Sequence, residues 1–147
     1  MKIVLIFMAI MVLIIVSIPL TNNHIAKTVK EDLIKMPLPE KTEIVDSISA
    51  AGKLIGAGNG MQYLGAMLIK SELTLEELDA YYAKYREDEW DWNYQVEKQT
   101  SNKITIVEHI DISFEILEEE FGANTYYIVY TWGESDYFFA DFDLRAH

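Results

Sequence analysis

The sequence predicts an α+β domain, an antiparallel sheet with one main helix packed on it, preceded by an N-terminal transmembrane or signal-anchor helix. Three observations predict this: an uncharged apolar run at the start, one well-capped amphipathic helix pattern, and several period-2 stretches separated by turn residues. At 147 residues the chain fits one domain plus an appendage. The expected order after the membrane segment is β-β-α-β-β-β-β.

The appendage is "IVLIFMAIMVLIIVSIPL", Ile3 to Leu20, with no charge and only Ser17 and Pro19 to interrupt it. Eighteen residues make a helix of roughly 27 Å, close to the ~30 Å hydrocarbon core of a bilayer. A cleaved signal peptide needs a small-residue cleavage site, and Ser17 with Ile15 two positions before it is a poor one. Residues 1–21 are therefore read as a retained signal anchor, with cleavage as the alternative. Lys2 favours a cytoplasmic N-terminus, while Lys27, Lys30 and Lys35 beyond the segment oppose it. A short charged start running straight into an apolar stretch is how export signals begin, so the domain is expected outside the cytoplasm on a single-pass cell-membrane anchor. With no cysteine in the chain, a lipid-modified cysteine and disulfides are excluded.

Residues 22–41 read as a juxtamembrane linker, with a short helix at Ile25 to Ile34. Pro37 and Pro39 make Met36 to Glu40 a stiff extended lead-in, and the domain proper is expected over residues 42–147. Asn59-Gly60 is a strong two-residue hairpin signal. Pivoting there, Gly56 opposes Tyr63, Leu54 opposes Gly65 and Gly52 opposes Met67, so that large side chains face glycines across two strands.

The helix is the clearest element. Thr74 and Glu77 form a capping box, Leu73 and Leu78 occupy staple positions, and Leu75, Leu78, Tyr82 and Tyr85 repeat at helical spacing. It should run from about Leu75 to Glu87. Next, Trp90, Trp92, Tyr94 and Val96 alternate as in a strand. Ile104 to Ile116 is apolar at nearly every second position, giving one long strand or two collinear pieces. Asn124 to Leu144 reads as a hairpin with its loop at Gly133 to Asp136 and Trp132 paired with Tyr137.

Charge narrows the function classes. Residues 22–70 set six lysines against five acids, whereas residues 71–147 set five basic residues against nineteen acids. Such an acidic half repels phosphate backbones, so no nucleic-acid partner is expected. The glycine stretch "AGKLIGAGNGMQYLG" invites comparison with a phosphate-binding loop. Gly52-Lys53 is followed by Leu54 rather than a hydroxyl residue, and Gly56 and Gly58 are followed by Met61 where a third glycine belongs. Both motifs also need a helix directly after the glycines, so no nucleotide is expected. His24, His109 and His147 lack ligand spacing, and the acidic runs lack the pattern of an EF-hand, so no metal or other cofactor is assigned.

No nucleophile stands beside a base in a recognisable pattern, and no catalytic residue is assigned. Asp141 and Asp143 fall on one face of the expected last strand, the arrangement of a paired-carboxylate glycosidase site. Sixteen of the eighteen aromatic residues lie between Tyr81 and Phe142. In the expected hairpin, Tyr127, Val129, Phe138 and Phe142 share one face, and Tyr126, Tyr130, Trp132, Tyr137 and Phe139 share the other. Both faces are apolar, so one goes under the helix and the second is either covered by other segments or binds a ligand. Tyr126, Tyr130, Trp132, Tyr137 and Phe139 are the candidate ligand-binding residues.

The stretch from Pro37 to about Tyr82, with its "PLPEKTE" lead-in and Gly-Asn-Gly turn, resembles a group of short, uncharacterised proteins of Gram-positive bacteria with an N-terminal apolar segment. That group carries no established activity, so the resemblance implies only a bacterial, membrane-tethered setting. The sequence is best read as a membrane-anchored extracytoplasmic domain, tethered through residues 3–20, that binds a protein or cell-envelope ligand without catalysis. The alternatives are an envelope hydrolase acting on glycan or peptide bonds through acidic residues, and a structural subunit of a membrane complex.

Overall fold

The computed structural model describes residues 2–86, 92–123, 125–134 and 137–147. The first helix, α1, runs unbroken from Lys2–Ile34. Its apolar stretch is long enough to cross a membrane. The short helix expected at Ile25 to Ile34 is present, but it is the continuation of α1 rather than a separate piece of a linker, and residues 22–34 pack on the sheet with Asn22, Ala26 and Leu33 buried. The buried stripe is narrow and includes an asparagine and an alanine, so apolar spacing alone does not mark it as a packed face.

Four strands form one antiparallel sheet of order β1-β2-β4-β3: β1 Thr42–Gly52, β2 Gln62–Ser71, β3 Gln95–Gln99 and β4 Tyr126–Glu134. The β1–β2 hairpin exists, but not on the expected pivot. Gly52 pairs with Gln62, Ala51 with Tyr63 and Ser49 with Gly65, so Asn59-Gly60 lies inside a loop from residue 53 to 61 instead of forming a two-residue turn. The glycines therefore do not face Leu54, Tyr63 and Met67 across the ladder. Gly65 serves another contact. A Cβ built there would lie 2.8 Å from the backbone nitrogen of Lys30, so the missing side chain lets α1 approach the sheet closely.

The second helix, α2 Leu75–Tyr82, is followed by a 3-10 turn at Ala83–Tyr85. Its capping box is formed: the Glu77 amide donates to Thr74 Oγ1 and the Thr74 amide donates to Glu77 Oε2. Helix α2 packs Leu78 and Tyr82 on the sheet face formed by Met67, Ile69, Val96, Tyr127 and Val129, beside Leu33 of α1. The residue expected as its end, Glu87, lies outside the described residues, as does Trp90 of the expected strand. Trp92 and Tyr94 precede β3 rather than belonging to it.

Two expected strands are absent from the described residues. Residues 100–119 form turns and bends with one isolated bridge, Lys103 to Ser113, and lead into the short helix α3 Glu120–Ala123. Ile104, Val107 and Phe114 are nonetheless buried, packed with Tyr126, Ile128 and Tyr130. The period-2 isoleucines thus mark a cover over the second sheet face, not a strand within it. The chain after β4 does not return as a strand either, and the expected pairing of Trp132 with Tyr137 is not made. Trp132 pairs with Leu64, while Ala140–Phe142 and Leu144–Ala146 are 3-10 turns. Asn124 of the expected hairpin and Ser135 and Asp136 of its loop lie outside the described residues. The core is therefore layered, with α1 and α2 on one face of the sheet and the irregular segment on the other.

Candidate functional site

The feature that joins the apolar helix to the domain is a buried polar cluster. Asn22 sits on α1 just past Leu20 and is fully buried. Its Nδ2 donates to Asp143 Oδ2 at 3.0 Å and to the Ala140 carbonyl at 3.3 Å, and its Oδ1 accepts from the Tyr63 hydroxyl at 2.7 Å. Both ends of the amide are thus used, as burial requires. Asp143 also accepts from Arg145, whose Nε lies 3.0 Å from Oδ1 and whose Nη2 lies 2.6 Å from Oδ2. The Arg145 guanidinium reaches on to Asn23 Oδ1 and to the Pro19 carbonyl. The Arg145 hydrogen bonds hold the Asp143 carboxyl down to about 2, with Asn22 adding to the effect against the opposing cost of burial.

The tail is gripped from the glycine-rich loop as well. Lys53 N donates to the Arg145 carbonyl at 2.6 Å, and Gly60 N donates to the Ala146 carbonyl at 2.9 Å. Met61 N donates to Asp141 Oδ1 at 2.7 Å. Gly60 holds a φ of 144°, which disfavours a side chain there. From the other side, Glu108 Oε2 accepts from Gly56 N, and the His109 ring lies 2.6 Å from the Gly56 carbonyl. The loop that resembled a phosphate cradle spends its amides on the protein's own tail, on Glu108 and, through Leu54 and Ile55, on the Gln62 side chain.

The candidate residues do not form one surface. Tyr126 and Tyr130 are buried in the core under the irregular segment, and Trp132 is partly buried beside them. Tyr130 donates its hydroxyl toward Gln95 and Glu97, and burial together with the Glu97 hydrogen bond pushes it upward. Tyr137 and Phe139 lie elsewhere, in the tail, in ring contact with each other and, through Phe139, with Phe138 and Phe142. The second aromatic face therefore splits into a covered half and an exposed half. Asp141 and Asp143 sit on turns and not on a strand, each engaged as described. The described residues hold no group of three side chains suited to a metal ion.

Sequence reasoning missed Asn22, Tyr63 and Arg145. Nothing local marks the cluster, because the contacts that tie Asn22 to Tyr63 and to Asp143, and Arg145 to Asn23 and Pro19, span 41 to 126 positions along the chain. The Asn22-Asn23 pair close behind the apolar run was the available signal. The fold and junction define a four-stranded antiparallel sheet with helices, carried on an apolar N-terminal helix. In comparisons with known proteins, the chain matches no family model, no curated protein and no solved structure.

Proposed function

We propose that the chain is a membrane-anchored, extracytoplasmic binding domain that presents a partner-binding surface at a set distance from the bilayer and performs no catalysis. The observation that supports this reading is the continuity of α1. One helix runs from the apolar stretch into the domain core, and Asn22 ties it to both Tyr63 and Asp143. A flexible tether would let a domain sample many orientations, whereas a helix whose second half is buried in the fold fixes one. The unbroken helix through Ser17 and Pro19 also favours retention over cleavage. A bacterial envelope is the setting this reading adopts.

Residues at the end of the sheet away from the apolar stretch are placed to meet a partner. A hollow of about 600 Å³ opens there between Lys41, Thr42, Glu43, Lys70, Ser71 and Glu72. Beside it, Ile44 and Val45 are exposed on the edge strand β1. A mixed-charge rim next to apolar residues suits a protein or peptide ligand. The hydrolase alternative draws no support from Asp141 and Asp143, whose carboxylates hold the tail in place. Photo-crosslinking in native membranes from a probe at Thr42 should trap a partner that Lys70→Glu loses. If no adduct forms while the domain is folded, the binding reading fails. Labelling Glu40→Cys on intact cells with an impermeant maleimide checks the orientation, and protection from the reagent would reverse it.

A further inference from the structure

The tail carries an apolar surface that the fold does not use. Phe138 is 77% exposed, Phe142 66% and Leu144 90%, with Tyr137 and Phe139 less so. The four rings touch, with centroids 6.0 Å apart for Tyr137 and Phe139, 5.0 Å for Phe138 and Phe139 and 6.0 Å for Phe139 and Phe142, so they form one patch, and Leu144 follows Phe142 two residues along the chain. The same chain buries Tyr63 and Tyr82 completely. A cluster of this kind in water is costly, and contiguous apolar patches mark interaction surfaces.

The position of the patch identifies what covers it. Phe142 lies between Ala140 and Asp143, both bonded to Asn22, and the turn Ala140–Phe142 packs on α1. Arg145 reaches the Pro19 carbonyl, within the last turn of the apolar stretch. Ile18 is buried while its neighbours Val16 and Leu20 stay exposed, so the domain climbs along the helix into the region that would lie at the bilayer boundary. Several polar groups of residues 140–146 bond inward to Met61, Gly60, Lys53 and Asn22. Phe138, Phe142 and Leu144 face outward at that level, with Asp141, Arg145 and His147 at the surface beside them, the mix of apolar and polar side chains that a headgroup boundary accommodates.

We propose that Tyr137, Phe138, Phe139, Phe142 and Leu144 form a second membrane anchor, inserting into the headgroup–acyl boundary of the leaflet from which α1 emerges at Leu20. The inference rests on the reading of α1 as a membrane span. Aromatic side chains partition to this boundary, and apolar surface placed there is removed from water. Together, a spanning helix and an interfacial patch joined through Asn22 and Arg145 set the tilt as well as the height of the domain.

The chain has no cysteine, so single-cysteine spin labels report individual positions cleanly. The full chain is reconstituted in phosphatidylcholine nanodiscs with a nitroxide at Phe142→Cys or, separately, at Phe138→Cys. Leu13→Cys labels the span and Glu40→Cys the far end of the domain. Collision with oxygen against an aqueous nickel chelate reads depth. Both tail labels should shift from the Glu40 value toward the Leu13 value. If they match Glu40 while Leu13 reads as deep in hydrocarbon, the interfacial anchor is overturned and the span stands. If Leu13 also reads as aqueous, the span reading falls and this proposal with it. Spin–spin broadening between tail labels, lost on dilution with unlabelled chain and accompanied by an aqueous depth, overturns the lipid assignment in favour of a second copy.

Discussion

Asn22 shows how much a single side chain can decide. Its amide joins α1 to the tail and to β2, and truncation to alanine would remove the Asn22 acceptor of the Tyr63 hydroxyl and one donor to Asp143. Loss of a buried partner costs about 1–3 kcal/mol, more when a charge is involved. Asn22→Ala should therefore lower the unfolding free energy of the detergent-solubilised chain by at least that much; an unchanged denaturation midpoint would refute the assignment. Gly65→Ala places a methyl against the Lys30 backbone, and overpacking of this sort costs about 1–3 kcal/mol. Thr131 behaves oppositely. Its Oγ1 is buried with no partner among the described residues, so Thr131→Val should leave stability unchanged or raise it, as thermal unfolding would show.

At the scale of elements, the test concerns the second half of α1. A linker helix would tolerate substitution within about 0.5 kcal/mol, as surface positions do. Leu33 is buried between Met67, Ile69 and Leu78, so Leu33→Ala should cost about 2–5 kcal/mol in chemical denaturation. Helix α2 was legible because its signals are local: Thr74, Glu77 and the Leu75–Leu78–Tyr82 stripe lie within two turns. The segment holding Ile104, Val107 and Phe114 was not. Alternation says only that every second side chain is buried, and a looping cover over a sheet meets that condition as a strand does. The tail failed for a related reason. Tyr137 to Phe142 has strand-forming composition, yet its backbone closes local turns and gives the Ala140 carbonyl to Asn22, while the Asp141 side chain and the Arg145 and Ala146 carbonyls meet the glycine-rich loop, which a propensity argument cannot see. Gly60→Val should loosen that contact, because φ there is 144° and its amide holds Ala146. Faster hydrogen exchange over residues 140–146 is the expected readout.

For the whole molecule, the tail clasp sets an acid limit. Asp143 is held near 2 against an ordinary 3.8, so it binds fewer protons in the folded state than in the unfolded one. Its contribution is complete above the ordinary value and is lost as pH falls from about 3.8 to about 2. Unfolding followed through that window should show stability falling with acid, and Asp143→Asn should remove this part of the slope.

The sequence by itself determined the apolar helix, the capped α2, the antiparallel α+β class and the presence of two apolar sheet faces. Each follows from spacing within a few residues or from composition, which are properties of the chain alone. Only the tertiary structure decided that α1 runs into the core, that residues 100–119 cover a face instead of pairing in it, and that the tail closes on Asn22 and the glycine-rich loop. Those outcomes depend on contacts between residues tens of positions apart, where what matters is which backbone donors and apolar surfaces remain to be satisfied once the local elements have formed.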